Sequence, residues 1–170
     1  MSTATSDKVA TPSTQDAAVL ARIVKEGYGP GAWHGPDLKA ALSDVTPELA
    51  FWRPAPDRHN IAEIAMHHAY CVRSVRAQLS GSPPEPFVLE GEDWFELPNA
   101  SKLGWPKIVA LVESQQQQLA AAVADLGVGR RKPSGESSML DLVLGVTCHA
   151  VYHAGQIQLI KRLRDSTRTA

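Results

Sequence analysis

The sequence predicts an all-α protein, a four-helix bundle with one long crossover loop. Three observations predict it. Apolar residues recur at helical spacing in four long segments. Strong Gly/Pro breakers separate those segments. No segment reads clearly as a strand. A chain of 170 residues suits one domain with one hydrophobic core, expected over residues 14–166. A disordered lead-in rich in Ser, Thr and Ala is expected over residues 1–13.

The first long helix is expected from Thr14 to Glu26, with Ala18 and Ile23 on its apolar face, stopping at Gly27-Tyr28-Gly29-Pro30-Gly31. A connector with Trp33, His34 and Pro36 follows. A short helix is expected over Asp37 to Leu42, and Pro47 opens a short turn ending near Trp52. Asn60 is a good N-cap for the second long helix, with Glu63 three residues on in capping-box spacing. Ile61, Ile64, Ala65, Ala69, Val72, Val75 and Leu79 recur along it, and Gly81-Ser82-Pro83-Pro84 ends it. The segment Glu85–Gly104 is long and irregular, with Phe87, Trp94 and Phe95 among acidic residues. A loop of that length within a compact domain is often functional.

The third long helix starts near Trp105-Pro106 and runs through Ile108, Leu111, Val112, Leu119 and Val123 to Leu126. Its run Gln115–Gln118 reads as a solvated face. Gly127–Gly135 is a basic loop, and the fourth helix covers about Ser138 to Arg164. Its stripe of Leu142, Val146, His149, His153, Gln156, Ile160 and Leu163 keeps returning to one face.

Composition narrows the function classes. Lys and Arg number 17 and Asp and Glu 18, a formal charge of −1. That balance offers no electrostatic footprint for nucleic acid and no polybasic membrane anchor. No apolar run approaches the roughly 20 residues of a membrane span. The N-terminus lacks the apolar stretch of a secretory signal, and Cys71 and Cys148 are the two cysteines. Both read as free thiols in a reducing cytoplasm.

The chemistry centres on His149 and His153. A separation of four places both imidazoles on one helix face, among apolar residues facing the core. Two buried imidazoles side by side need hydrogen-bond partners for both, or a divalent metal that uses both lone pairs. A third ligand should come from a facing helix, where His67 and His68 are adjacent. A helix turns about 100° between neighbours, so one of the two serves, and periodicity favours His68, nearer the middle of the stripe. His34 and His59 fall in loops and read as exposed.

Three stretches then carry a resemblance: Trp33-His34-Gly35-Pro36 with Leu38 and Leu42, followed by Trp52-Arg53-Pro54-Ala55-Pro56; Asn60-Ile61-Ala62-Glu63-Ile64-Ala65-Met66-His67; and His149-Ala150-Val151-Tyr152-His153-Ala154-Gly155-Gln156-Ile157. Over roughly Trp33 to Leu163 the chain resembles the DinB/YfiT-like superfamily of metal-binding four-helix bundles. The resemblance implies a metal triad of His67, His149 and His153, against the periodicity argument for His68. It implies zinc first, with nickel or iron also suited to imidazole. It links the chain to thiol-dependent transferases and isomerases and to metal-dependent hydrolases. The expected partner is therefore a small-molecule substrate, with a low-molecular-weight thiol as the candidate co-substrate, and metal-bound water or thiol as the reacting group. A non-catalytic metal- or ligand-binding bundle is the alternative. It also implies a homodimer.

Supporting roles follow from spacing. Gln156, three residues past His153, either bonds a ligand or faces solvent near the bundle end. Glu63, one turn before His67, caps its helix, with orienting His67 or acting as a base as the further readings. Tyr152 projects roughly 50–60° off the histidine pair and is expected to pack. Cys148 reads as a small buried thiol. Trp33, Trp52 and Trp94 pack in the core or wall the pocket mouth. Proton competition is expected to weaken metal binding near the unperturbed histidine pKa, about 6.5.

Overall fold

Asn60 opens the helix that organises the protein. Its side chain accepts from the Glu63 amide at 2.9 Å, and the Glu63 carboxylate accepts from the Asn60 amide at 3.4 Å, the reciprocal capping box the sequence spells. The computed structural model describes residues 14–127 and 139–169. Among them it is all-helical: α1 Thr14–Gly27, α2 Leu38–Leu42, α3 Pro47–Ala50, α4 Ile61–Ser80, α5 Trp105–Gly127 and α6 Met139–Thr169. The expected lead-in and nearly all of the basic loop lie outside the described residues.

Local signals place the helix ends. Asp37 and Thr46 cap α2 and α3 with their side chains, and Pro47 occupies the first turn of α3. Asp37, expected inside the helix, is therefore its cap. Gly81 ends α4 in the left-handed region at φ 64, a conformation glycine adopts without a Cβ penalty. α6 continues past Arg164 to Thr169.

The four long helices form a ring. α1 packs on α5 and α6, and α4 packs on the same two, so α5 and α6 each lie between α1 and α4. α2 lies against α6. At Gly27 a Cβ would meet the Ala150 Cβ at 3.0 Å and the Thr147 carbonyl oxygen at 3.1 Å, so α1 meets α6 where side chains must be small. Two apolar clusters fill the ring. One gathers Leu20, Val24, Leu79, Leu119, Val123 and Val143. The other packs Leu38, Ile61, Ile64, Met66, Ile108 and Ile157 with the crossover residues Phe95 and Leu97. That crossover is anchored from below: Asn60 donates to the Leu97 carbonyl at 2.8 Å, and the Leu97 amide donates to Glu63 at 3.0 Å. No described helix is long and apolar enough to cross a membrane.

Candidate metal centre

Three histidines from α4 and α6 meet at one point. His149 Nε2 lies 3.0 Å from His67 Nε2 and 3.0 Å from His153 Nε2. Donor atoms of the three rings all fall within 4.8 Å of one another. His149 and His153 come from one helix face, as their spacing requires.

The far side of each ring explains the orientation. His67 Nδ1 lies 3.0 Å from both the carbonyl oxygen and a carboxylate oxygen of Asp93. Both are acceptors only, so Nδ1 carries the proton and Nε2 presents a lone pair. His153 Nδ1 donates to Gln156 Oε1 at 2.6 Å, and Gln156 Nε2 donates in turn to the Tyr152 hydroxyl at 3.0 Å. His153 Nε2 is thereby also a bare acceptor. His149 Nδ1 lies 3.2 Å from His68 Nδ1, and His68 Nε2 lies 2.6 Å from the Gln116 amide. This column takes either of two proton orders, because a glutamine amide can donate or accept at that point. In one of them His149 Nδ1 donates to His68, and all three Nε2 lone pairs face inward. Bare nitrogens 3.0 Å apart repel one another, and a cation held by His67, His149 and His153 would turn that repulsion into coordination. The donor set fits a divalent ion that accepts nitrogen ligands.

Burial keeps His68, His149 and His153 neutral. It pushes His149 down to about 4, helped by the neighbouring His153 and His67. It pushes His153 down to about 4 against the opposing Gln156 bond. His68, fully buried, is pushed well below the ordinary histidine value. In the metal-free protein His149 and His153 therefore take up protons near about 4, below the ordinary histidine value of about 6.5.

His67, not His68, reaches the triad. Periodicity did find the deeper residue, since His68 has no exposed surface and His67 retains 8%. The depth works against it. A site with an open face lies at the flank of the bundle, and the deepest position turns towards Gln116 on α5. Trp94 then covers His67 from the crossover, ring on ring at 3.9 Å, and His59 stacks on the other face of Trp94 at 3.8 Å. Asp93, just before it, is the non-glycine residue with positive φ among the described residues, at 62°. Such a conformation persists where surrounding contacts hold it.

Several other expectations are corrected. Gln115 and Gln116 are buried, so half of the glutamine run faces inward. Cys148 is exposed, because its direction on α6 leads out of the bundle. Tyr152 is 63% exposed and uses its hydroxyl instead of packing. Trp33 is 92% exposed and belongs to neither core nor pocket. Trp52 packs against the core as a half-buried residue, with the Arg164 guanidinium 5.2 Å from its ring centroid. Leu163 is exposed at the end of the stripe. His34 and His59 are exposed as expected, though each is held by a glutamate residue: His34 meets the Glu26 carbonyl oxygen at 2.8 Å, and His59 meets the Glu63 carboxylate at 3.0 Å.

Glu63 is a cap and more. It also pairs with Arg53, and none of its hydrogen bonds goes to His67. Burial alone would push its carboxyl up, but Arg53, the Leu97 amide and His59 together hold it below the usual carboxylate range. Asp93, Gln116 and Arg53 went unnoticed as supporting residues in the sequence. Only the Trp-Arg-Pro stretch offered a signal, for Arg53. A second grouping of His67, Cys71 and Asp93 shares the His67 ring. Its Cys71 thiol is pushed up to about 11, chiefly by burial, and its Asp93 already accepts the His67 proton, so the converging Nε2 atoms make the better site.

A family model described as the DinB superfamily matches residues 32–157. The chain belongs to the DinB superfamily. The helical bundle and a histidine cluster that could hold a metal ion agree with that membership. Comparison with curated proteins and with solved structures finds no match. The superfamily match ends at Ile157, so it contains all three histidines of the cluster.

The surface opens beside Gln156 and Trp94, the residues that touch His153 and His67. A cleft of about 580 Å³ is lined by Pro54, Ile64, Ile160, His59 and Gln156, among others. A second cleft, of about 430 Å³, lies across His59 and Trp94, with Arg53 and Glu63 in its wall.

Proposed function

We propose that this DinB superfamily protein is a metal-dependent enzyme acting on a small molecule by thiol transfer or hydrolysis, with His67, His149 and His153 as the metal ligands. One observation carries the reading: three Nε2 atoms converge, each ring has a partner on its other nitrogen, and Gln156, the partner of His153, lines an open cleft. Such outer partners fix ring orientation and raise ligand basicity. A divalent ion held by three imidazoles supplies Lewis acidity and a free coordination position, with zinc first and nickel or iron also suited.

The chain's own residues supply the rest. Ile64, Ile160 and Pro54 give the cleft an apolar wall that takes the body of a substrate and excludes water from one side of it. Gln156 stands in that wall and holds His153, so substrate contact and ligand orientation meet at one side chain. Trp94 shields the His67 face, and Asp93 holds that ring's proton on Nδ1. Cys148 lies outside the bundle, and the Cys71 thiol is half-buried against the His67 ring, 3.9 Å from each of its nitrogens. The nucleophile therefore comes from solution, as water or a low-molecular-weight thiol.

The test has two stages. Protein purified without a nickel column is analysed for metal, and about one divalent ion per chain is expected. The loaded protein is then offered a panel of electrophiles and esters with and without small thiols. Metal-dependent turnover supports the reading. A loaded protein inert across both panels favours the non-catalytic binding bundle.

A further inference from the structure

Three side chains from three helices form a column behind the cluster. His149 of α6 meets His68 of α4 at 3.2 Å, Nδ1 to Nδ1, and His68 Nε2 meets the side-chain amide of Gln116 of α5 at 2.6 Å. His68 and Gln116 are buried, so neither can turn to solvent for a partner.

Each neutral imidazole carries one proton, which leaves the column two complete orders. In the first, His149 Nδ1–H donates to His68 Nδ1, His68 Nε2–H donates to the Gln116 side-chain oxygen, and His149 Nε2 is bare. In the second, the Gln116 amide donates to His68 Nε2, His68 Nδ1–H donates to His149 Nδ1, and His149 Nε2 carries the proton. The cluster's own nitrogens choose between them. His67 and His153 are held bare at Nε2 by the acceptors on their far sides. Each lies 3.0 Å from His149 Nε2. Without a cation the second order is favoured, because a proton on His149 Nε2 then faces two lone pairs, where the first order would set a third lone pair against them. With a cation only the first order serves, since a ligand nitrogen must be bare.

The exchange is balanced. One proton passes from Nε2 to Nδ1 of His149 and one from Nδ1 to Nε2 of His68, so each ring keeps one and none is released. The Gln116 amide must turn over. It makes no other hydrogen bond among the described residues. It also lines a groove of about 290 Å³ between α1 and α5, which gives it room to turn.

We propose that Gln116 is a positioning residue for His149: through His68, its amide sets whether His149 turns a proton or a lone pair to the cluster, and loading with a divalent ion reverses the column. This rests on the proposed metal centre of His67, His149 and His153.

Nuclear magnetic resonance of the full chain carrying ¹⁵N-labelled histidine reads the column, because proton-bearing and bare ring nitrogens differ widely in shift. Spectra are compared at about pH 7.5, metal-free and with equimolar zinc. His68 is not a ligand in the triad, so its ring reports the column in both states. It should carry its proton on Nδ1 without zinc and on Nε2 with it.

Two substitutions separate positioning from packing, with circular dichroism to confirm folding. Gln116→Leu leaves the His68 proton of the loaded order without an acceptor. The ion makes that bond charge-assisted, about twice as strong as the neutral bond lost from the metal-free order. Zinc affinity should fall about 10-fold. Gln116→Glu offers acceptors only, which holds the first order. It should bind zinc at least about 10-fold more tightly than Gln116→Leu. A residue that only packs would give the opposite ranking, because leucine fills the space and a buried carboxylate is costly there. The wild-type spectra carry the test without either variant. A His68 tautomer that is the same with and without zinc overturns the proposal and leaves the triad standing. So does a leucine variant that binds zinc as tightly as the wild type. A wild type that binds no zinc overturns both.

Discussion

Acidifying the metal-free protein from pH 7.5 to pH 5 should destabilise it through the histidines before any carboxylate contributes. His153 is 2% exposed, and burial holds it at about 4, whereas an unfolded histidine titrates near 6.5. Between those values the unfolded chain binds more protons than the folded one, so stability falls as pH falls. The stabilisation is fully present above about 6.5 and is lost progressively down to about 4. At pH 5 the loss for one such ring is about 2 kcal/mol relative to pH 7.5. His149 is held at about 4 as well, and because the two rings interact, the pair contributes between about 2 and 4 kcal/mol. Against a total of about 5–15 kcal/mol this is large. The carboxyl groups held low, Glu63, Asp44 and Glu113, contribute in the other window. Their stabilisation is lost only as pH drops below the ordinary carboxylate range, about 4.

Urea unfolding at both pH values reads the effect. With a slope of about 2 kcal/mol per molar, the middle of the usual range, the midpoint should fall by roughly 1–2 M. His149→Leu/His153→Leu should reduce the dependence and leave the share of His68, whose buried ring is also held well below the ordinary histidine value. Zinc at about 100 times its Kd should add about 2.7 kcal/mol at pH 7.5. A midpoint that does not move between pH 7.5 and pH 5 would refute the reasoning, because it would mean that the rings are not held neutral in a dry site.

Three further outcomes follow from the same geometry. His149→Ala/His153→Ala should lose the bound ion, measured by elemental analysis after dialysis, and full retention would remove the site. His67→Ala should abolish tight metal binding, whereas His68→Ala should keep the stoichiometry and weaken affinity by about 10–100-fold through the lost partner of His149; metal titration separates the two, and loss of the ion in the His68 variant alone would exchange their roles. Trp94→Ala should change small-molecule affinity more than metal content in paired calorimetric titrations, and a variant that sheds metal and melts would make Trp94 a structural residue.

What the sequence alone determined is what local geometry dictates. The Asn60–Glu63 capping box, the Gly81 stop and the pairing of His149 with His153 on one face depend on residues within a turn or two of one another, and their spacing is sufficient. Family resemblance selected His67, but periodicity selected His68, because a helical wheel measures depth and not direction towards a neighbouring helix. Tertiary structure decided that direction: His67 meets the Nε2 of His149 and Asp93, whereas His68 joins the far nitrogen of His149 to Gln116 on α5. It also decided which crossover residues arrive at the site. Asp93 and Trp94 are 26 and 27 positions beyond His67 in the numbering, with no repeating pattern to announce them. The inward turn of Gln116 and the outward turn of Tyr152 and Cys148 were settled the same way. Each lies on a helix whose period is plain, but the side that meets a neighbour is fixed only when all four helices close into a ring.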